Sequence, residues 1–489
     1  MTPRSLPSRR QAARHRPSAG LVAAVAAALW LGACANPPVD RNFEAARQLS
    51  REHLGVEVRW LRSEAARVEA QREAEAVLSR PLQADDAVRL ALAYSPALQA
   101  LLFEAAAASA DATQAARLPN PVFTFERLAR RSHGETELDI GRMLGLPLFD
   151  LLLLPARLRQ ADLRQQQTQW RLAGEVVQAA TAARQAWVRA VAAEQRLHYQ
   201  RQVQAAADAS AELARRMQAV GNFSRLQRAR EQAFSAEAAA ELARAQQVAA
   251  DTREALVRAL GLAPAQAQAL TLPSRLPELP ATLRDATALE RDATALRLDL
   301  RIARAELQHS ADEQGLGRAG DITGGAHLAA VRNSETGEAP QKGVELELPL
   351  PVFDPGDAGR LRRQASHQAA QQRLAQRERE AASQVRQAHA GYRSAYEVAR
   401  HYRDQVVPLR KAISEENLLR YNGMLISVFE LLADARQQVA SVVGALDAQR
   451  DFWLADAALQ AARVGPPAGG LAIEARPSAA ADPTSDAAH

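Results

Sequence analysis

Three short landmarks recur in this chain at nearly one spacing. Leu98, in Pro96-Ala97-Leu98 ahead of an alanine-rich stretch, and Leu300, in Leu298-Asp299-Leu300, lie 202 residues apart. Leu146-Pro147-Leu148-Phe149-Asp150 returns as Leu350-Pro351-Val352-Phe353-Asp354, 204 residues on. Val220-Gly221-Asn222 returns as Tyr421-Asn422-Gly423, with the two glycines 202 residues apart. Three concordant spacings read as a tandem duplication, with one copy in residues 81–271 and the other in 284–463. The segment between them, 272–283, is rich in proline and forbids a helix running from copy to copy.

Each copy runs through the same elements. A helix at 84–117, or 284–314, leads into a section of strand-like alternation. A very long helix follows, 155–220 or 358–421, and after a glycine turn a second helix returns to about Leu260 or Arg463. About 65 residues at 1.5 Å each make roughly 100 Å, several times the width of a globular domain. Composition agrees with this. Apolar residues make up 47% of the 489, yet aromatics are only 4% and mean hydropathy is −0.28, so alanine rather than bulky side chains supplies the apolar share. Alanine permits close, coiled-coil-like packing of long helices whose outer faces stay wet through Gln, Arg and Glu.

The amino terminus reads as an export signal and an anchor. Arg4, Arg9, Arg10, Arg14 and Arg16 precede the apolar run 21–31, which is too short for a mature membrane span and suits a secretory signal over residues 1–33. Leu31-Gly32-Ala33-Cys34 resembles the bacterial lipobox, in which the cysteine is acylated, and Cys34 is the only cysteine, so no disulfide can form within one chain. Two or more acyl chains hold durably where one is marginal. Ala35 is not the aspartate of an inner-membrane retention signal, which favours the outer membrane. Residues 34–80 are expected to run as an extended segment from the lipid along the outside of the helices, and 464–489, rich in Pro, Ala, Gly and Ser, as a disordered tail. The formal charge of +5 disappears with the signal: its five arginines face no acid, leaving 56 basic residues against 56 acidic ones. That removes the electrostatic case for nucleic acid.

The strand-like sections carry the functional signal. Residues 122–126 and 137–140 alternate with period two, as do 324–330 and 344–348, giving two hairpins with loops near 131–135 and 333–342. By pattern alone they could lie on a soluble core. Hairpins at the end of helices about 100 Å long have no such core beside them, however, and lipid is the remaining apolar medium. An open sheet edge is forbidden in a bilayer and four strands cannot close, so the chain must oligomerise; three copies give twelve strands. Alternation then turns Phe123, Phe125, Leu346 and Leu348 to lipid and Thr124, Glu126, Asp139, Glu345 and Glu347 to an acidic lumen.

These motifs, with Leu118-Pro119-Asn120-Pro121 before the first strand, make residues 84–463 resemble the TolC family of outer-membrane efflux proteins. The resemblance implies a mainly α fold with a small transmembrane β part: a homotrimer with a twelve-stranded β-barrel continued by a periplasmic α-barrel. It also implies that the glycine turns meet a periplasmic adaptor linked to an inner-membrane pump. Val220, Gly221, Asn222, Asn422, Gly423 and Met424 are the adaptor-contact candidates, and Glu415, Glu416, Arg420 and Tyr421 the candidate periplasmic constriction. Pro408 matches a family position that the first copy lacks. Residues 424–432 resemble members associated with copper or other metal resistance; lipidated members export metals or drugs.

No catalytic or metal constellation is expected. The ten histidines are scattered without an i, i+4 pair, the methionines number four, and no phosphate-binding glycine loop appears, so the chain reads as a non-enzyme without cofactor. The alternative, a lipid-anchored periplasmic adaptor or coiled-coil tether, would set one helical hairpin between compact β domains. A lipid-anchored cell-wall enzyme would need a paired nucleophile and base, for which no candidate is found.

Overall fold

The structure, a computed structural model, describes residues 39–117, 120–132, 135–146, 148–284, 296–323, 327–347 and 356–465. The signal segment, Cys34, Leu348, the repeated Leu350-to-Asp354 motif and the tail beyond 465 lie outside the described residues.

The order of elements is α1 (Val39–Leu54), α2 (Glu64–Leu78), α3 (Ala84–Tyr94), α4 (Pro96–Ala116), β1 (Val122–Ser132), β2 (Glu135–Leu146), α5 (Leu148–Ala219), α6 (Arg225–Leu260) and α7 (Pro264–Ala269). The second half follows with α8 (Leu298–Thr323), β3 (His327–Glu335), β4 (Gln341–Glu347), α9 (Asp357–His401), a π-helical turn Tyr402–Val406, α10 (Val407–Asn422) and α11 (Val428–Ala462). Each half therefore sets one β-hairpin between a shorter helix and a long helical hairpin. Helix α5 has 72 residues, about 108 Å at 1.5 Å per residue.

Three sequence expectations change. Residues 84–117 are two helices meeting at 46°, because Pro96 takes the first helical position of α4 and holds Ser95 at an extended ψ of 121°. The stretch 34–80 is not extended throughout: α1 lays Phe43 and Ala46 onto a cluster with Val58, Val88, Leu98, Leu102 and Val176. So few large apolar residues, separated by Arg and Glu, left that face invisible until its partners were in place. Helix α5 starts at Leu148 rather than Pro155, keeping the proline near its first turns.

The core is a chain of small clusters strung along the helices. The largest surrounds Trp187 of α5, 2% exposed, with Leu82, Leu90, Val191, Leu256 and Leu260; its Nε1 donates to the Leu82 carbonyl at 2.7 Å. In the second half Phe452 of α11 fills the same role between Tyr392 and Tyr396 of α9. The inter-half segment 270–284 is irregular and tied down, with Leu270 and Leu276 buried and the Leu82 N–H donating to the Thr271 carbonyl at 2.9 Å. Among the described residues, no single helix is long and apolar enough to cross a membrane.

Candidate functional site

The four strands form one antiparallel sheet in the order β1-β2-β3-β4, so the two halves meet at β2 and β3. Register partners sit opposite one another and share a face. Phe123 pairs with Leu144 and Phe125 with Arg142; Leu144 pairs with Ala330 and Arg142 with Arg332; Ala330 pairs with Val344, Leu328 with Leu346 and Arg332 with Lys342. That face holds Phe123, Phe125 and Leu346 together. The pairs Thr124–Met143, Glu126–Gly141 and Leu128–Asp139, Ala329–Glu345 and His327–Glu347 lie on the other, which gathers Thr124, Glu126, Asp139, Glu345 and Glu347.

Charge divides between the faces more sharply than these eight residues suggest. With Asp139 opposite Glu335, the Thr124 face carries seven carboxylates, Glu126, Glu135, Glu137, Asp139, Glu335, Glu345 and Glu347, and one arginine, Arg130. Arg130 is spent on its own face, 3.2 Å from Glu137 and 4.0 Å from Glu335. The Phe123 face carries Arg127, Arg131, Arg142, Arg332 and Lys342 and no carboxylate among the described residues. In the middle strands Gly141, Met143, Ala329 and Val331 of the acidic face are buried or half-buried, while Arg142, Leu144, Ala330 and Arg332 opposite are exposed. The strands run 11, 12, 9 and 7 residues, longer than their short alternating cores, and the outer strands β1 and β4 each keep one unpaired edge.

At the opposite end of the helices sit the two turns. In the first, Gly221 adopts φ +81°, and the Asn222 N–H returns to the Met217 carbonyl at 2.9 Å. Ser224 and Gln227 then exchange a capping box at 2.6 and 3.2 Å. The second turn differs: Gly423 has φ −78°, and the left-handed residue is Met424, φ +58°. The matched glycines are thus not matched in conformation. Val220 is 70% and Met424 93% exposed, while Phe223 and Phe429 stack at 4.9 Å and hold the two turns side by side.

The constriction candidates stay local. Glu416 accepts from Arg420 at 2.9 Å and Glu415 pairs with Lys411 at 3.8 Å, each along α10, and all four side chains are more than half exposed. Tyr421 is 38% exposed.

Sequence reading missed the buried ion pairs that tie the halves together. Glu231 of α6, side chain 3% exposed, accepts from Arg436 of α11 at 2.9 Å and from the Ser210 hydroxyl of α5 at 2.8 Å. Asp447 of α11 joins Arg196 of α5 at 3.3 Å and Arg450 at 2.9 Å. A cleft of about 620 Å³ beside it is lined by Arg189, Arg196, Arg244, Glu241 and Arg450; burial first, and Arg450 second, push the Arg189 guanidinium down. In sequence, charges spaced along an alanine-rich helix look like a solvated face, so no signal marked them. The cationic face was findable: period two continued from Phe125 reaches Arg127 and Arg131. Among the described residues no group of three or more His, Cys, Asp or Glu could hold a metal ion.

No protein-family model and no curated protein matches the chain. Solved structures match it by shape. CmeC, an outer membrane channel of Campylobacter jejuni, superposes with a TM-score of 0.67 at 13% identity, covering 78% of this chain and 85% of that one. The outer membrane protein VceC of Vibrio cholerae gives 0.65 at 18%, covering 78% and 96%. A membrane protein from Pseudomonas aeruginosa gives 0.64 at 20%, covering 78% and 93%. The chain has the TolC-type fold of outer-membrane efflux channels that its sequence motifs lead one to expect.

Proposed function

We propose that this protein is the outer-membrane channel of a tripartite efflux system, a duplicated chain that works as a homotrimer anchored through acylated Cys34. The observation that carries the reading is the four-stranded sheet: two unpaired edges, an apolar and cationic face, and an acidic face opposite it. Seven carboxylates exclude the acidic face from hydrocarbon, whereas Phe, Leu and Val with arginines that reach toward headgroups suit it. Pairing β4 of one copy with β1 of the next removes every edge and closes twelve strands about an acidic lumen lined by Thr124, Glu126, Asp139, Glu345 and Glu347. Phe123, Phe125, Leu346 and Leu348 then face lipid.

Solutes such as drugs or metal ions cross passively, driven by an inner-membrane pump. The exposed turns at Val220, Gly221, Asn222, Asn422, Gly423 and Met424 receive the periplasmic adaptor. Opening is a shift in helix packing near Glu415, Glu416, Arg420 and Tyr421 that adaptor contacts favour. The test is single-channel recording in planar bilayers with the purified full chain. Trimer-dependent, cation-selective pores are expected. A monomer without conductance would instead favour the adaptor or tether reading.

A further inference from the structure

The cationic row on the apolar face is not used by a channel as such. Resting on the channel reading above, we propose that Arg142, Arg332 and Lys342 bind the phosphate groups of the anionic lipid of the outer leaflet. The three are successive register partners on β2, β3 and β4. At 4.7–4.9 Å between neighbouring strands, their backbones span about 10 Å, the width of one phosphorylated headgroup rather than of a single ion. All three side chains are exposed. Their face offers no carboxylate among the described residues, and none of the three forms an ion pair there, in contrast to Arg130 on the opposite face.

Cations at a membrane boundary are costly unless an anion or water meets them. Here the protein provides no anion, so it must come from outside. Arginine forks fit phosphate in two parallel hydrogen bonds, and lysine adds a point charge. The level of the row names the leaflet. The apolar pairs Leu144–Ala330 and Leu328–Leu346 lie on its helical side; on the other, the second hairpin turns at 335–341, three residues beyond Arg332, while the first runs on past the row through the register pairs Arg127–Ile140 and Arg131–Thr136 to its turn at 132–135. Since the helices lead into the periplasm, the row sits toward the exterior, with acyl chains packing below it on Phe123, Leu144, Val344 and Leu346.

The test uses the full-length trimer reconstituted in zwitterionic nanodiscs with bisphosphorylated lipid A, dephosphorylated lipid A or phosphatidylglycerol as the probe. Lipid retained after detergent washing is counted by native mass spectrometry. Bisphosphorylated lipid A is expected to stay bound to the wild-type protein at least tenfold more tightly than the dephosphorylated form, a comparison that needs no variant. The triple variant Arg142→Gln, Arg332→Gln, Lys342→Gln should lose at least that tenfold, which a single charge-assisted bond already implies, while Arg130→Gln on the acidic face should lose nothing. Equal retention of both lipid A forms, or of phosphatidylglycerol, overturns the assignment even where trimeric pores form. Failure to form trimers or pores at all overturns the channel reading and this one with it.

Discussion

The first half reaches its turn along one unbroken helix of 72 residues, whereas the second does so in three pieces: 45 residues of α9, five of π-helix and 16 of α10. The cause is Pro408. It has no N–H to give the carbonyl four residues back, and its ring would crowd that carbonyl. The chain widens into a π-turn just before it, where the Val407 N–H reaches the Tyr402 carbonyl instead. Tyr402 then lies over Gly444 of α11, where an added Cβ would stand 2.8 Å from its ring. The first half closes its return helix on Gly261, with φ +71°, while the second ends at Arg463 in ordinary helical geometry. One order of elements thus tolerates different local chemistry, and the two halves place their backbone irregularities at different points.

The largest expected effects come from exchanging those features. Ala206 lies 202 residues before Pro408 on an exposed turn of α5, so Ala206→Pro should cost about 3 kcal/mol because no π-turn is ready to receive it. Pro408→Ala should shift stability by less than that and in the opposite direction. Thermal unfolding of the trimer in detergent, followed by helical circular dichroism, measures both; equal losses would show that the π-turn does not answer to Pro408. Gly261→Ala should cost a similar 2–3 kcal/mol, since its Cβ would stand 2.4 Å from Pro96 Cδ and 3.0 Å from Ser95 Cα at a left-handed φ. At the turns the effects shrink and change sign. Met424→Gly removes a left-handed side chain and should stabilise by up to about 1 kcal/mol, while Gly221→Ala should destabilise by as much. If both substitutions destabilise, the exposed Met424 is making a contact that outweighs its strain.

The legible part of the molecule is the part governed by period. Alanine-rich spacing gave the long helices, and alternation at 122–126 and 344–348 gave the hairpins and the grouping of Phe123 with Leu346. Where both faces of a strand are polar, as at Glu126, Arg127, Arg130 and Arg131, period two disappears from a hydropathy reading, so the strands looked half their length. That Met424 rather than Gly423 is the left-handed residue of the second turn has no signal in the sequence, because glycine is only permitted that conformation, never compelled into it. Buried pairs such as Glu231 with Arg436 depend on a partner 205 residues away, and nothing local distinguishes them from charges in water.

The smallest effect lies at the foot of the two long helices. Glu212 of α5 accepts from Arg215 at 2.8 Å and from Arg216 at 2.7 Å. These hydrogen bonds, Arg215 first, hold its carboxyl down at about 2, below the usual 4.5. At the same spacing of 202 residues Ser414 stands in its place, with Asn417 and Leu418 where the two arginines would be, and the neighbouring Glu415 has Lys411 at 3.8 Å as its ion-pair partner among the described residues. A carboxyl depressed on folding contributes stability above its unfolded value and loses it as pH falls toward the folded one. The wild-type protein should therefore weaken between about pH 4.5 and pH 2 by an amount that Glu212→Gln removes. The Glu212 carboxylate is solvent-exposed, so the effect should fade at high salt as screening sets in. Unfolding midpoints taken across that window at low and high salt test it, and pH curves unchanged by Glu212→Gln would mean that solvent has already cancelled the pairing seen at the first turn.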